Sequence, residues 1–171
     1  MRKTNIVISA VNFVEGGPLT ILMDLLNTLR LLKSDEFEIV VLVNQKIKGD
    51  MGGIKFVEIP SAKKSWILRI FWEFFGFRYL LNLQNVDLWI SLHDVTPNVK
   101  AKKLITYYHN PAPFHNFSFK DYYYEPKILF FRLFYLKICK INSTKLTSLV
   151  VQQKWMKQKL INFGFPATKI D

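Results

Sequence analysis

With 171 residues, half of them apolar, the chain has enough material for the core of one ordinary domain without staples. Its single cysteine, Cys139, excludes an intramolecular disulfide and any cysteine-built metal site. A net charge of +11, from 24 Lys+Arg against 13 Asp+Glu, suits an anionic partner: nucleic acid, a membrane surface or an anionic substrate.

The first residues, Met1-Arg2-Lys3-Thr4-Asn5, run directly into an apolar segment, Asn5–Ala10, which reads as a buried strand. No secretory apolar region of sufficient length follows, because Glu15 and the glycines interrupt it, and a cytoplasmic location is expected. Glu15-Gly16-Gly17-Pro18 is a turn leading into a helix from Pro18 to Lys33. There Leu19, Leu22, Met23, Leu26 and Leu29 recur at helical spacing, and Pro18 suits the first turn. A strand that turns on glycines into a helix offers unpaired backbone N–H groups to an anion such as phosphate. The same residues equally make a plain connection. They lack both the three spaced glycines of a dinucleotide fold and the Gly-Lys-Ser/Thr ending of a P-loop.

Phe37–Val43 is β-branched and apolar, as a central strand should be. Lys46–Gly53 reads as a loop, Ile54–Ile59 as a short strand stopped by Pro60, and Ser65 to about Gln84 as a helix with Ser65 as its cap. Val86–Leu92 and Lys103–Tyr108 are two further strands, linked through His93–Ala101. Asn110-Pro111-Ala112-Pro113 continues neither strand nor helix, so a loop must open after Tyr108. An aromatic stretch follows, partly helical from Pro126 to Asn142. Cys139 lies within it as a small core residue. Thr147–Val151 is a last strand, and Gln152–Phe163 a last helix ended by Gly164 and Pro166.

Alternating strands and helices imply a single α/β domain over 1–171, a Rossmann-like three-layer sandwich with a mostly parallel sheet. Ligands of such sheets bind beyond the carboxyl ends of the strands. That rule selects Asn12–Pro18, His93-Asp94, His109-Asn110 and Gln152-Gln153 as candidates. Adjacent residues of an extended chain point to opposite sides, so His93 and Asp94 do not form a dyad, although one of them can line a cleft. No Asp-x-Asp or His-x-x-x-His pattern marks a metal site, and no Gly-x-Ser-x-Gly elbow marks a hydrolase.

Basic and aromatic residues intermingle in Lys63–Trp72 and again in Lys127–Lys140, a mixture that fits the surface of an anionic membrane. Neither stretch reads as a span, since Arg69 and Glu73 interrupt the first and Arg132 and Lys137 the second. Trp66–Phe77 is apolar on nearly all sides, which fits either a buried helix or partial membrane contact. Phe114–Phe119 and Tyr122-Tyr123-Tyr124 form an aromatic loop that could stack on sugar rings or a lipid-linked acceptor, or fold over the core. Nucleic acid ranks last among the partners, because no RNA-binding pattern is present.

The order of strand, Gly-Gly loop, leucine-rich helix and strand–His-Asn-Pro, followed by Val-Val-Gln-Gln-Lys-Trp-Met-Lys-Gln-Lys-Leu and Phe-Gly-Phe-Pro-Ala-Thr-Lys-Ile, resembles the N-terminal half of family 4 glycosyltransferases. These are retaining enzymes of the GT-B fold that use nucleotide-activated sugars. The resemblance runs from Asn5 to Asp171 through loose motifs, and Val150–Ile170 is its strongest part. It implies an acceptor-binding domain for a glycan or lipid-linked acceptor. The nucleotide-sugar donor is then held mainly by a C-terminal domain that this chain does not contain. No metal or cofactor is implied beyond that donor, and the chain by itself is expected to be inactive. By the same resemblance Gly16 and Gly17 lie near the donor diphosphate and the acceptor. His109 takes a cleft-facing position from which it bonds a sugar hydroxyl or stabilises charge during transfer. Asn110 could bond the same ligand or cap the turn before Pro111; His93 is a candidate ligand contact by its place after a strand, not by the resemblance. The alternative is a non-catalytic α/β module that binds a membrane or a partner protein.

Overall fold

The computed structural model describes residues 2–13, 15–31, 36–47, 52–80, 86–115, 123 and 127–171. Six strands form one sheet: β1 (Thr4–Ser9), β2 (Phe37–Val43), β3 (Lys55–Glu58), β4 (Val86–Ser91), β5 (Ala101–Tyr108) and β6 (Ser148–Val151). Their order is β3-β2-β1-β4-β5-β6, and every described pair is parallel. This is the doubly wound order of Rossmann-like folds, whose topology reverses between β1 and β4.

Period-two alternation divides the apolar side chains between two cores. Ile6 and Ile8 of β1 join Ile39, Val41 and Val43 of β2 on one face. Leu22 and Leu26 of helix α1 (Gly16–Leu31) cover them there. Val7, Leu42, Trp89, Leu104 and Leu149 point to the other face. That face is closed by Phe77 of α4 (Phe77–Leu80), by Tyr135, Leu136 and Cys139 of α5 (Lys127–Lys140), and by Met156 and Leu160 of α6 (Lys154–Asn162). Three layers result because each face of a parallel sheet must bury its apolar side chains. Cys139 is a free thiol inside this core, and burial pushes its pKa up.

Between β3 and β4 the chain departs from one continuous helix. Pro60 is followed by a turn of helix, α2 (Ser61–Lys64). Ser65 then breaks into extended backbone and caps α3 (Trp66–Phe71), its Oγ accepting from Leu68 N at 3.2 Å. A π turn over Trp72–Gly76 leads into α4. The π turn admits an extra residue, and it coincides with a close approach: a Cβ on Gly76 would lie 2.2 Å from Trp72 Cε3. Trp72 cannot easily yield, because its Nε1 donates to Ser61 Oγ at 2.8 Å. The sequence pattern also placed helix as far as Gln84; residues 81–85 lie outside the described residues, as do 32 and 33 of the expected first helix, Val14 of the glycine loop and most of the Phe114–Tyr124 aromatic segment. After α6, Ile170 returns to the outer side of β6 and bridges Leu149 in parallel.

No described helix is long and apolar enough to cross a membrane.

Gly76→Ala is expected to cost about 1–3 kcal/mol by forcing the Trp72 ring off Ser61. Gly17→Ala, which adds a methyl into open space, should stay within about 0.5 kcal/mol of the parent. Urea denaturation of the two variants measures both, and equal midpoints would show that Trp72 moves freely.

Candidate functional site

The carboxyl ends of β1, β4 and β5 meet where the strand order reverses. Beneath that point lies a polar cluster sealed from water. Ser9 ends the inward run of β1 and Ser91 that of β4, and His93 follows β4; all three are at most 1% exposed. Ser9 Oγ lies 2.8 Å from His93 Nε2, and Ser91 Oγ, which donates to Val95 O at 3.0 Å, lies 3.4 Å from Nδ1. The π turn aims Glu73 inward, so that its Oε1 sits 3.1 Å from His93 Nδ1 and 3.7 Å from Arg69 Nε. A serine, a histidine and a carboxyl group in a row have the connectivity of a hydrolytic triad. Their burial denies a substrate any approach, and the cluster is a structural floor.

The Glu73–His93 pair is close enough for an ion pair, yet both groups are driven to neutrality. Burial raises the Glu73 pKa to about 8, against the opposing attraction of Arg69. Burial likewise holds His93 well below its usual range, aided by the charge of Arg69 and by His109. A neutral Glu73 beside a neutral His93 avoids two buried charges, and the Ser9 hydroxyl lies within hydrogen-bond distance of Nε2.

Asp94 builds the layer above. It is the one non-glycine among the described residues with positive φ (+31°), and its side chain is buried. Oδ1 accepts from the backbone N–H groups of His109 at 2.8 Å and Asn110 at 3.3 Å, while Oδ2 accepts from the Tyr135 hydroxyl. Its own N–H donates to Tyr107 O at 3.1 Å. Burial, with Asp94 nearby, keeps the Tyr135 phenol protonated and therefore a donor. One carboxyl group thus ties the end of β4 to the end of β5 and to α5.

His109 stands on this support. Its ring stacks on Tyr107 with centroids 5.6 Å apart and meets the edge of Phe13 at 5.8 Å. Nδ1 lies 3.5 Å from Asp94 Oδ1 without a hydrogen bond between them, and is shut off from solvent. The 22% of the side chain that is exposed therefore belongs to other atoms. Phe13, three residues before Gly16, carries the β1 loop against His109. Asn44 pins that loop from β2 by donating to Val11 O at 2.9 Å. Gln152, after β6, reaches Tyr107 OH at 2.6 Å and joins the same rim.

The predicted residues consequently separate. Gly16, Gly17, His109 and Gln152 belong to the open rim. Gly16 and Gly17 begin α1 and are exposed, and Gly16 takes the left-handed φ of +67° that favours glycine. Asn110 lies beside His109, but its Oδ1 accepts from Ala112 N at 3.0 Å and caps the turn before the Ala112–Phe114 helical turn. Gln153 starts α6, accepting from Trp155 Nε1 at 3.2 Å. His93 is not on the rim. Both of its ring nitrogens face protein groups, for the physical reason that it follows β4 at the centre of the sheet. His93 and Asp94 diverge into two different networks, as neighbours on an extended chain should.

Sequence reasoning passed over Ser9, Asn44, Glu73 and Tyr135. Glu73 carried a usable signal, a lone carboxylate in an apolar stretch, which in a folded chain must be solvated, paired or neutralised. Among the described residues no group of three His, Cys, Asp or Glu could hold a metal ion.

Neither a protein-family model nor a curated protein sequence matches this chain.

Glu73 sets a pH dependence. Its folded pKa is raised above its ordinary value of 4.5, so its contribution to stability is full below pH 4.5 and is lost as pH rises through about 8. His93, with a lowered folded pKa, acts in the opposite direction and removes stability as pH falls below 6.5. Glu73→Gln keeps the shape but cannot ionise. Melting temperatures measured from about pH 5 to about pH 9 should show the variant gaining on the parent as pH rises. A gap independent of pH would show that Glu73 titrates as an exposed carboxyl group.

Proposed function

We propose that the chain is the acceptor-side domain of a retaining, GT-B-type glycosyltransferase of the cytoplasm, presenting a glycan or lipid-linked acceptor to a sugar nucleotide. The observation that supports this reading above others is the contact of Phe13, at the end of β1 and ahead of the glycine turn, with His109 at the end of β5, beside the point where the strand order reverses. Ligands of doubly wound sheets occupy that crevice. The fold alone hosts many activities, so the weight rests on the residues of the rim.

Each rim residue has a distinct part. The exposed N–H groups at Gly16 and Gly17 suit an anionic oxygen of the donor diphosphate. His109, braced by Tyr107 and Phe13, is aimed as a hydrogen-bonding group for a sugar hydroxyl. With Nδ1 turned towards Asp94, the opposite side of the imidazole is left for the ligand. Gln152 adds an amide beside it. The anomeric configuration is kept in the complete reaction, and a second, nucleotide-binding domain supplies the other wall of the cleft. No step requires a metal.

Calorimetry with nucleoside diphosphate-sugars, oligosaccharides and lipid-linked sugars tests the proposal. Acceptor binding is expected, and His109→Ala should weaken it about 3- to 10-fold, the value of one hydrogen bond, in a chain that circular dichroism shows to remain folded. Residues 1–171 alone should give no turnover. Absence of heat with every donor and acceptor, or substantial transfer by the isolated chain, would refute it.

A further inference from the structure

The segment between β3 and β4 turns a continuous apolar stripe outward. Ile67, Phe71, Phe75 and Tyr79 recur every four residues across α3, the π turn and α4, and are 80%, 51%, 58% and 76% exposed. Phe71 and Phe75 stack with centroids 6.1 Å apart, and Trp66 and Leu68 flank the stripe. Trp66 also meets Tyr135 edge-on at 5.6 Å, carrying the surface to α5, where Leu133 and Phe134 are exposed and Lys137 Nζ lies 5.7 Å from the Phe134 ring. Single exposed apolar residues are ordinary; a contiguous apolar row of this length is not.

The exposed charges of the segment itself have one sign. From Ser61 to Leu80 the exposed charged residues are Lys63, Lys64 and Arg78, and the one carboxylate of the segment, Glu73, is buried. Two copies of the chain meeting through this face would bring like charges together. A surface with negative headgroups over hydrocarbon complements both features: apolar side chains enter the acyl boundary while the lysines meet the headgroups.

We infer that the α2–α4 face docks the protein peripherally on an anionic lipid bilayer, through Ile67, Phe71, Phe75 and Tyr79 with Lys63, Lys64 and Arg78. The contact is independent of what the crevice binds. It lies parallel to the bilayer surface, since none of these short helices can span it.

Flotation with vesicles of pure phosphatidylcholine and of phosphatidylcholine mixed with phosphatidylglycerol provides the test. Binding is expected to the anionic vesicles, to fall when phosphatidylglycerol is omitted, and to weaken as salt screens the charges. Phe71→Ser with Phe75→Ser should reduce it at least ~10-fold through lost apolar burial. Lys63→Glu with Lys64→Glu should do the same, at about 5-fold for each lost positive charge. Leu31→Ser, at an exposed leucine on α1, should leave binding unchanged. All substituted side chains are exposed, and an unchanged melting temperature verifies the fold; the lysine pair keeps the test intact if the phenylalanine pair does not fold. Equal binding to the two vesicle types, binding to neither, or a dimer that Phe71→Ser abolishes would overturn the inference.

Discussion

The geometry at the carboxyl ends of β4 and β5 depends on one constraint, Asp94, a residue held at positive φ with its carboxyl group buried. A residue in that conformation persists only where its surroundings over-determine it. Here the surroundings are three donors from two elements, the N–H groups of His109 and Asn110 and the hydroxyl of Tyr135. In return the carboxyl group fixes the direction in which the chain leaves β5. Without it the chain after β5 loses the two hydrogen bonds that tie His109 and Asn110 to the end of β4, and the imidazole of His109 loses its registration against Phe13 and Tyr107.

Below this clamp the protein places titratable groups where none can reach water. Glu73, His93 and Ser9 connect a helix, a strand end and a second strand end through polar atoms, at a position where apolar packing would have served as well. An uncharged pair avoids the desolvation cost of two buried ions, which in protein interiors amounts to several kcal/mol for each. Arg69, 11% exposed beside Glu73, keeps its charge close enough to oppose that neutrality without overcoming it. The same π turn divides the segment by role. It sends Glu73 into the floor and Phe75 to the outside, so one local irregularity serves both the sheet and the outer surface.

Much of this was legible in the sequence, for identifiable reasons. β2 coincides with the β-branched run Phe37–Val43, and the other strands fall within two residues of the expected bounds, because a buried parallel strand is apolar throughout. Ser65 caps as a serine before an apolar run should. The single helix expected from Ser65 resolves into α3, a π turn and α4, since periodicity cannot show where a Trp72 ring occupies the space beside Gly76. The rule that ligands lie beyond strand ends selects Gly16, Gly17, His109 and Gln152, which stand open to solvent. It could not distinguish rim from floor, and therefore placed His93 with them. That distinction depends on Glu73 and Ser9, which lie 20 and 84 residues away along the chain from His93, at a distance no local pattern reaches.

The seam between β1 and β4 has a further consequence, in folding order. Every pair across it joins residues 82 positions apart, from Ile6↔Leu88 to Ser9↔Ser91. The β1–β2 pairs, such as Thr4↔Phe37, span only 33. Closing the longer loops costs more chain entropy before any contact offsets it. A half-folded chain with β1, α1 and β2 in place already has its glycine loop. It has no floor under that loop and no histidine beside it until the central seam closes.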